Sequence, residues 1–193
     1  MNINGKKDDP RLASRLLDVI EKDILPLTER GVAAGDKVFG AAVLLRSDLS
    51  LVNAGTNEEN TDCPLWHGEM VALREYHRLP ERPSPDRCLL LSTHEPCPMC
   101  AAAISWCGIP EVYFLFDYRD TEAQFAIPHD IRMLRELFSP ATGLNRRNAF
   151  FTATPIRELA DDNSARIDAI SRRYDALSLD YQSGKGDNDI PLR

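Results

Sequence analysis

The order of apolar patterns along the chain predicts an α/β/α layer fold with a mixed sheet between helices. Three observations carry it. An amphipathic helix comes first, two β-compatible runs joined by a short polar turn follow, and two consecutive strand–helix–strand units come after them.

Pro10 stands at a first helical position, and Leu12, Leu16, Leu17, Ile20 and Ile24 recur at three- and four-residue steps, so this helix is expected to end or kink near Pro26. Residues 38–45 and 49–54 are strand-like and flank Arg46-Ser47-Asp48, which predicts an antiparallel hairpin. From residue 66 to 79 the spacing of Met70, Leu73 and Tyr76 is helical; Pro80, Pro83 and Pro85 break it before a third strand at 88–91. Residues 98–106 are Ala-rich and helical, Gly108-Ile109-Pro110 stops them, and 112–116 is a fourth strand. Strand–helix–strand order implies parallel pairing with right-handed crossovers.

Beyond this, residues 131–138 and 155–179 read as helical, and the polar stretch 182–189 is expected to fray. At 193 residues the chain suits one core. The expected organisation is a single domain over 1–181, with a core at 10–138, a C-terminal helical extension at 150–181 and a flexible tail at 182–193.

Charge and cysteine usage narrow the partners. A net charge of −7 gives an average surface that repels phosphate, so a small substrate is expected over a nucleic acid. Nowhere do eighteen apolar residues run together, and the first twenty residues hold no apolar leader core, so the expectation is a cytoplasmic protein with no membrane contact. Cys63, Cys88, Cys97, Cys100 and Cys107 are odd in number and unevenly spaced, unlike a disulfide framework.

Two segments carry chemistry: Trp66-His67-Gly68-Glu69 at the start of one predicted helix, and Glu95-Pro96-Cys97-Pro98-Met99-Cys100 at the start of the next. Cys97 and Cys100 share a helix face, and Pro98 sits where a missing N–H costs nothing. A helix N-terminus favours thiolate and offers N–H groups to sulfur. With His67 these make a Cys₂His set for Zn²⁺ whose fourth position is left for water, the arrangement of a catalytic site. Cys63, one turn before His67, is the candidate fourth ligand of a rival structural site. Two thiolates offset the charge of the ion, so a nearby proton acceptor is needed. Glu69 suits it, since two residues from His67 on a helix it points elsewhere.

His67-Gly68-Glu69 followed by Pro96-Cys97-Pro98-Met99-Cys100 resembles the cytidine deaminase-like superfamily of zinc-dependent deaminases over roughly residues 39–118. Within it the branch of guanine deaminase, bacterial cytosine deaminases and tRNA adenosine deaminases is most similar. The resemblance implies a mixed five-stranded sheet and a homodimer. It also implies hydrolytic deamination of a nucleobase, nucleoside or similar aminated heterocycle, with guanine-like purines leading and cytosine-type rings next. It further assigns Phe39 to the pocket floor, the side chain of Asn57 and the backbone N–H of Gly68 to the ring, and makes His129 and Asp130 candidates for substrate contact. Trp66 and Gly68 depart from the commoner small residue and alanine, and His94 stands where relatives carry an apolar residue; packing is the simpler role for His94.

Two other readings stay open. In tRNA adenosine editing, Arg146-Arg147 or Arg172-Arg173 would supply the basic patch around a flipped base. A non-catalytic module would keep zinc only for folding.

Overall fold

The computed structural model describes residues 10–125, 129–137, 146, 151–159 and 163–187. The first helical segment does not stop at Pro26. It runs as α1 (Pro10–Val19), a π-helical turn (Ile20–Ile24) and α2 (Leu25–Ala33), with Pro26 in the first turn of α2. Proline removes one N–H and crowds the preceding turn; the wider π turn just ahead of it relaxes the ladder where the ring would clash. Leu12, Leu16, Leu17, Ile20 and Ile24 are buried, as their spacing requires.

The sheet has five strands in the order β2-β1-β3-β4-β5: β1 (Gly40–Leu45), β2 (Leu51–Thr56), β3 (Cys88–His94), β4 (Glu111–Phe116) and β5 (Thr152–Pro155). Strand β1 pairs antiparallel with β2 and β3, whereas β3, β4 and β5 run parallel. Helices α3 (Gly68–Arg78) and α4 (Pro98–Cys107) make the crossovers. Gly108 ends α4 in the left-handed conformation at φ 75°, with its N–H on the Ile104 carbonyl.

Strands β3 and β4 are buried along their whole length, which is why they read as continuous apolar runs. Alternation then divides them. Leu89, Leu91, Tyr113 and Leu115 pack with α1, α2 and α7 (Ser164–Gly184) on one face, while Cys88, Leu90, Val112 and Phe114 meet α3 and α4 on the other. The three-layer, mixed-sheet fold is the one expected.

Two expectations about the C-terminal part need correction. The segment 155–179 is not one helix: Pro155 closes β5 against Phe114, a 3-10 turn follows at Ile156–Glu158, and α7 begins at Ser164. The helical extension at 150–181 therefore contains the fifth strand, four residues long and defined by its pairing with β4. The start of the tail is also helical, because α7 continues to Gly184 and a 3-10 turn covers Lys185–Asp187. Gln182 donates to the Phe125 carbonyl at 3.0 Å, which ties that end down. Residues 138 and 188–193 lie outside the described residues.

One close approach sets the position of α3. A Cβ on Gly68 would lie 2.5 Å from Gly40 Cα and 2.9 Å from its carbonyl carbon, so the helix start rests directly on the backbone of β1. Gly68→Ala gains about 0.5–1 kcal/mol from helix preference but forces backbone apart in a packed site at a cost of about 1–3 kcal/mol. The substitution is expected to be net destabilising, read as a lower denaturant midpoint with an unchanged m-value.

Candidate active site

The site forms where the carboxyl end of β3 and the N-termini of α3 and α4 meet, the usual crevice of an open α/β sheet. His67 is the N-cap of α3 with an extended backbone (φ −64°, ψ 158°), and Cys97 is the N-cap of α4 (φ −63°, ψ 168°) with Pro98 directly after it. Cys100 follows one turn later, and its backbone N–H donates to Cys97 Sγ at 3.5 Å. Two helix N-termini thus place their positive ends around one point.

The donor atoms fit zinc. His67 Nδ1 lies 3.6 Å from Cys97 Sγ and 3.7 Å from Cys100 Sγ. Bonds of about 2.3 Å to sulfur and about 2.1 Å to nitrogen at a tetrahedral angle put the two donors ~3.6 Å apart. Among the described residues these three make the only such cluster, and Cys63 is not part of it. The burial of both cysteines and the half-burial of His67 leave one side of the set facing a cavity.

Proton affinities in the site follow from the charges around each group. Burial alone would lower His67, but the Cys97 sulfur and the carboxylates of Glu59 and Glu69 outweigh it and push the imidazole up to about 9. Hydrogen bonding with Cys100, helped by His67, holds Cys97 well below the ordinary thiol range. Proton and metal therefore compete for the same atoms.

Glu69 is fully buried. Its Oε1 accepts from Ser92 Oγ at 3.0 Å, and its Oε2 accepts from the Cys100 thiol at 3.4 Å. Burial, reinforced by the Cys97 sulfur, raises its carboxyl to about 7, the range in which one carboxyl can both take and return a proton.

A cavity of about 210 Å³ adjoins this cluster, smaller than the ~300–1,000 Å³ of pockets for drug-sized ligands. Phe39, Asn57, His129 and Asp130, the residues expected to contact substrate or shape its pocket, are among those lining it. Phe39 stacks face to face on His94, with ring centroids 4.1 Å apart and planes 9° from parallel. Asn57 is more constrained than expected: its Oδ1 accepts from the Gly68 N–H at 2.6 Å and its Nδ2 donates to Glu59 at 2.9 Å. The Gly68 N–H, expected to face the ring, is thereby spent on Asn57. Asp130 is buried at the start of α6 (His129–Leu137), and burial, with the Cys97 sulfur, raises its carboxyl to about 7.

His94 also lines the cavity, beyond the packing role that was the simpler expectation. Its Nδ1 is 3.7 Å from Glu69 Oε1, its Nε2 is 3.8 Å from Asp130 Oδ2, and among the described residues Nδ1 has no hydrogen-bond partner. Burial lowers its imidazole to about 3 and keeps it neutral. Lys37 and Glu59, which no local pattern marks, form a buried ion pair at 2.7 Å in the cavity wall. Trp66 does not line the cavity; the Arg74 guanidinium lies over its ring at 4.9 Å.

A Cys₂His cluster on two helix N-termini, with a buried carboxyl beside it and a ring-sized cavity in front, defines a zinc enzyme that moves protons on a small molecule. Residues 22–116 match the family model for the cytidine and deoxycytidylate deaminase zinc-binding region. The chain is 27% identical over 154 residues to the guanine deaminase of Bacillus subtilis (strain 168), covering 79% of this chain and 96% of that protein. The X-ray structure of a guanine deaminase from Bacillus subtilis matches with a TM-score of 0.54 at 28% identity, over 64% of this chain and 77% of that one. A guanine deaminase structure from Nitrosomonas europaea shares the fold with a TM-score of 0.56 at 24% identity, over 86% and 85% of the two chains. The zinc-binding region at residues 22–116 and the likeness to guanine deaminases fit the cytidine deaminase-like superfamily of zinc-dependent deaminases.

One Zn²⁺ per chain is expected in the purified protein. Cys97→Ser with Cys100→Ser should abolish it and Cys63→Ser should not, as metal analysis would show. Because His67 is protonated below about 9 without metal, zinc must displace that proton, and affinity falls as pH falls. Chelator competition at several pH values should show a decline of about tenfold per unit for each proton displaced.

Proposed function

We propose that this chain deaminates a free guanine-like purine hydrolytically, using Glu69 as the proton carrier. The observation that carries the reading is the buried Glu69 carboxyl beside the His67, Cys97 and Cys100 cluster, of which His67 and Cys97 line a cavity sized for a bare ring rather than a nucleotide. Likeness to proteins described as guanine deaminases supports the purine over a cytosine-type ring.

Zinc held by His67, Cys97 and Cys100 supplies Lewis acidity that brings the proton affinity of water toward neutrality. Glu69 accepts a proton from the attacking water and delivers it to a ring nitrogen as the amino-bearing carbon becomes tetrahedral; it then takes the second proton, from the hydroxyl now on that carbon, and passes it to the departing amine as the carbonyl forms. Water and amine become carbonyl and ammonia with no other reactant. Phe39 and His94 give the ring a flat wall, Asn57 keeps one amide hydrogen for an acceptor on it, and Asp130 offers an acceptor or, when protonated, a donor. His129, half-buried at the rim with its imidazole lowered chiefly by burial, closes the polar side.

Two features support the view that tRNA is not the partner. Arg146 is committed to Glu95 through two bonds of 2.6 and 2.8 Å, Arg173 pairs with Glu29, and Arg172 is not among the cavity-lining residues; Arg147 lies outside the described residues. A homodimer is supported by Trp106, 92% exposed on α4, and sedimentation at micromolar concentration tests it. Five free cysteines support a reducing, cytoplasmic setting. Among the described residues no helix is long and apolar enough to cross a membrane.

Ammonia release should be fastest with guanine in a panel of guanine, adenine, cytosine, their nucleosides and aminated triazines. Release from a nucleoside alone would replace the free-base reading. Glu69→Ala should lower kcat by about 10²–10⁴-fold or more while metal analysis still finds one zinc per chain. Parallel loss of zinc and activity would make Glu69 a ligand or a prop instead.

A further inference from the structure

We infer that Glu59 is a positioning residue for the metal site: it orients the imidazole of His67 and the amide of Asn57 together, with Lys37 as its buried counter-ion. The inference rests on the zinc reading above and goes beyond it to residues outside the ligand set.

The side chain of Glu59 is 1% exposed. Its Oε1 accepts from Lys37 Nζ at 2.7 Å and faces His67 Nε2 at 3.5 Å, while its Oε2 accepts from Asn57 Nδ2 at 2.9 Å. Asn57 Oδ1 accepts in turn from the backbone N–H of Gly68, next to His67. A closed ring of contacts therefore runs from Glu59 through Asn57 and the start of α3 to His67, and back to Glu59.

Each contact has a chemical consequence. His67 has two ring nitrogens, and Nδ1 is the one facing the two sulfurs. A carboxylate opposite Nε2 favours the tautomer with the proton there, which leaves the Nδ1 lone pair for metal; partners of this kind typically contribute about 10–100-fold to metal affinity. Asn57 could otherwise flip its amide. With a carboxylate at one end and an N–H at the other, only one orientation satisfies both. The side that Asn57 turns to the cavity is therefore a donor, which selects a substrate acceptor there.

Lys37 is the counter-ion of the Glu59 carboxylate in this wall. Its own side chain is 10% exposed, and the pair brings no net charge to the cavity. A buried ion pair is a weak source of stability relative to apolar packing of the same volume. Orientation of His67 and Asn57 is the effect that an apolar pair could not supply.

Two variants test the assignment: Glu59→Gln, and Lys37→Met combined with Glu59→Leu, in which no charge is left buried alone. Circular dichroism and thermal unfolding report the fold. Chelator competition with Zn²⁺ and the visible absorption of the Co²⁺-loaded chain report the metal site independently of turnover. Zn²⁺ is expected to bind about 10–100-fold more weakly in both variants, with an altered Co²⁺ spectrum, and KM for the ring substrate is expected to rise. A folded double variant with wild-type zinc affinity would overturn the inference and reduce Glu59 to a partner for Lys37. Wild-type protein that binds no zinc would be a different failure, that of the zinc reading itself.

Discussion

Everything in this molecule that could act on a substrate depends on how closely the start of α3 approaches β1. Gly68 lies against the backbone of Gly40 with no room for a Cβ. That contact fixes the height of His67 over the sheet, and α4 brings Cys97 and Cys100 from the adjacent crossover to the same height. The donor separations of 3.6 and 3.7 Å follow from two helices anchored independently on one sheet. Hydrogen bonds from the Gly68 N–H to Asn57 Oδ1 and from Thr93 Oγ1 to the Gly40 carbonyl lock the same junction from both sides.

Charge is the second constraint, and the fold meets it by pairing and by withholding water. Glu59, Glu69 and Asp130 approach one cavity, which would be untenable as three bare carboxylates in a low-dielectric wall. Lys37 neutralises Glu59, while burial raises Glu69 and Asp130 to about 7, so each can carry a proton. His94 separates those two carboxyls and stays neutral. The environments divide the acids into one paired with a lysine and two whose carboxyls are raised by burial, and such a division is what an acid–base site needs.

The loop between β3 and α4 shows how remote parts of the chain serve the site. The Glu95 N–H donates to the Phe116 carbonyl at 2.7 Å, its side chain holds Arg146, and Tyr118 Oη donates to the Pro96 carbonyl at 2.6 Å. Phe116 at the end of β4, Tyr118 just after it and the distant Arg146 thus clamp the turn that presents Cys97. Arg146 also lies over the Phe114 ring at 4.8 Å, so its guanidinium fills a structural socket.

The sequence alone determined the layer architecture and singled out His67, Cys97, Cys100 and Glu69, which the fold brings together. Apolar periodicity is a local property that burial enforces, and the ligands sit at helix starts whose signals, Pro98 above all, are local too. Residues 38–45 and 112–116 read as strands, and Gly108 as a stop, for the same reason. Only the tertiary structure decided the rest. The strand Thr152–Pro155 is too short to announce itself and exists through its pairing with β4. The passage of the first helix through Pro26 needed a π turn that no residue preference specifies. Lys37 and Glu59 are 22 positions apart and unremarkable as a solvated pair of charges; sequence cannot say that both side chains turn inward. The role of His94 was hidden likewise, because an imidazole that stacks on Phe39 between two carboxyls acquires its function from neighbours brought by β1, α3 and α6. Chain patterns fix which groups can do chemistry, but the distances and desolvation that set their proton affinities arise only when distant segments share one wall.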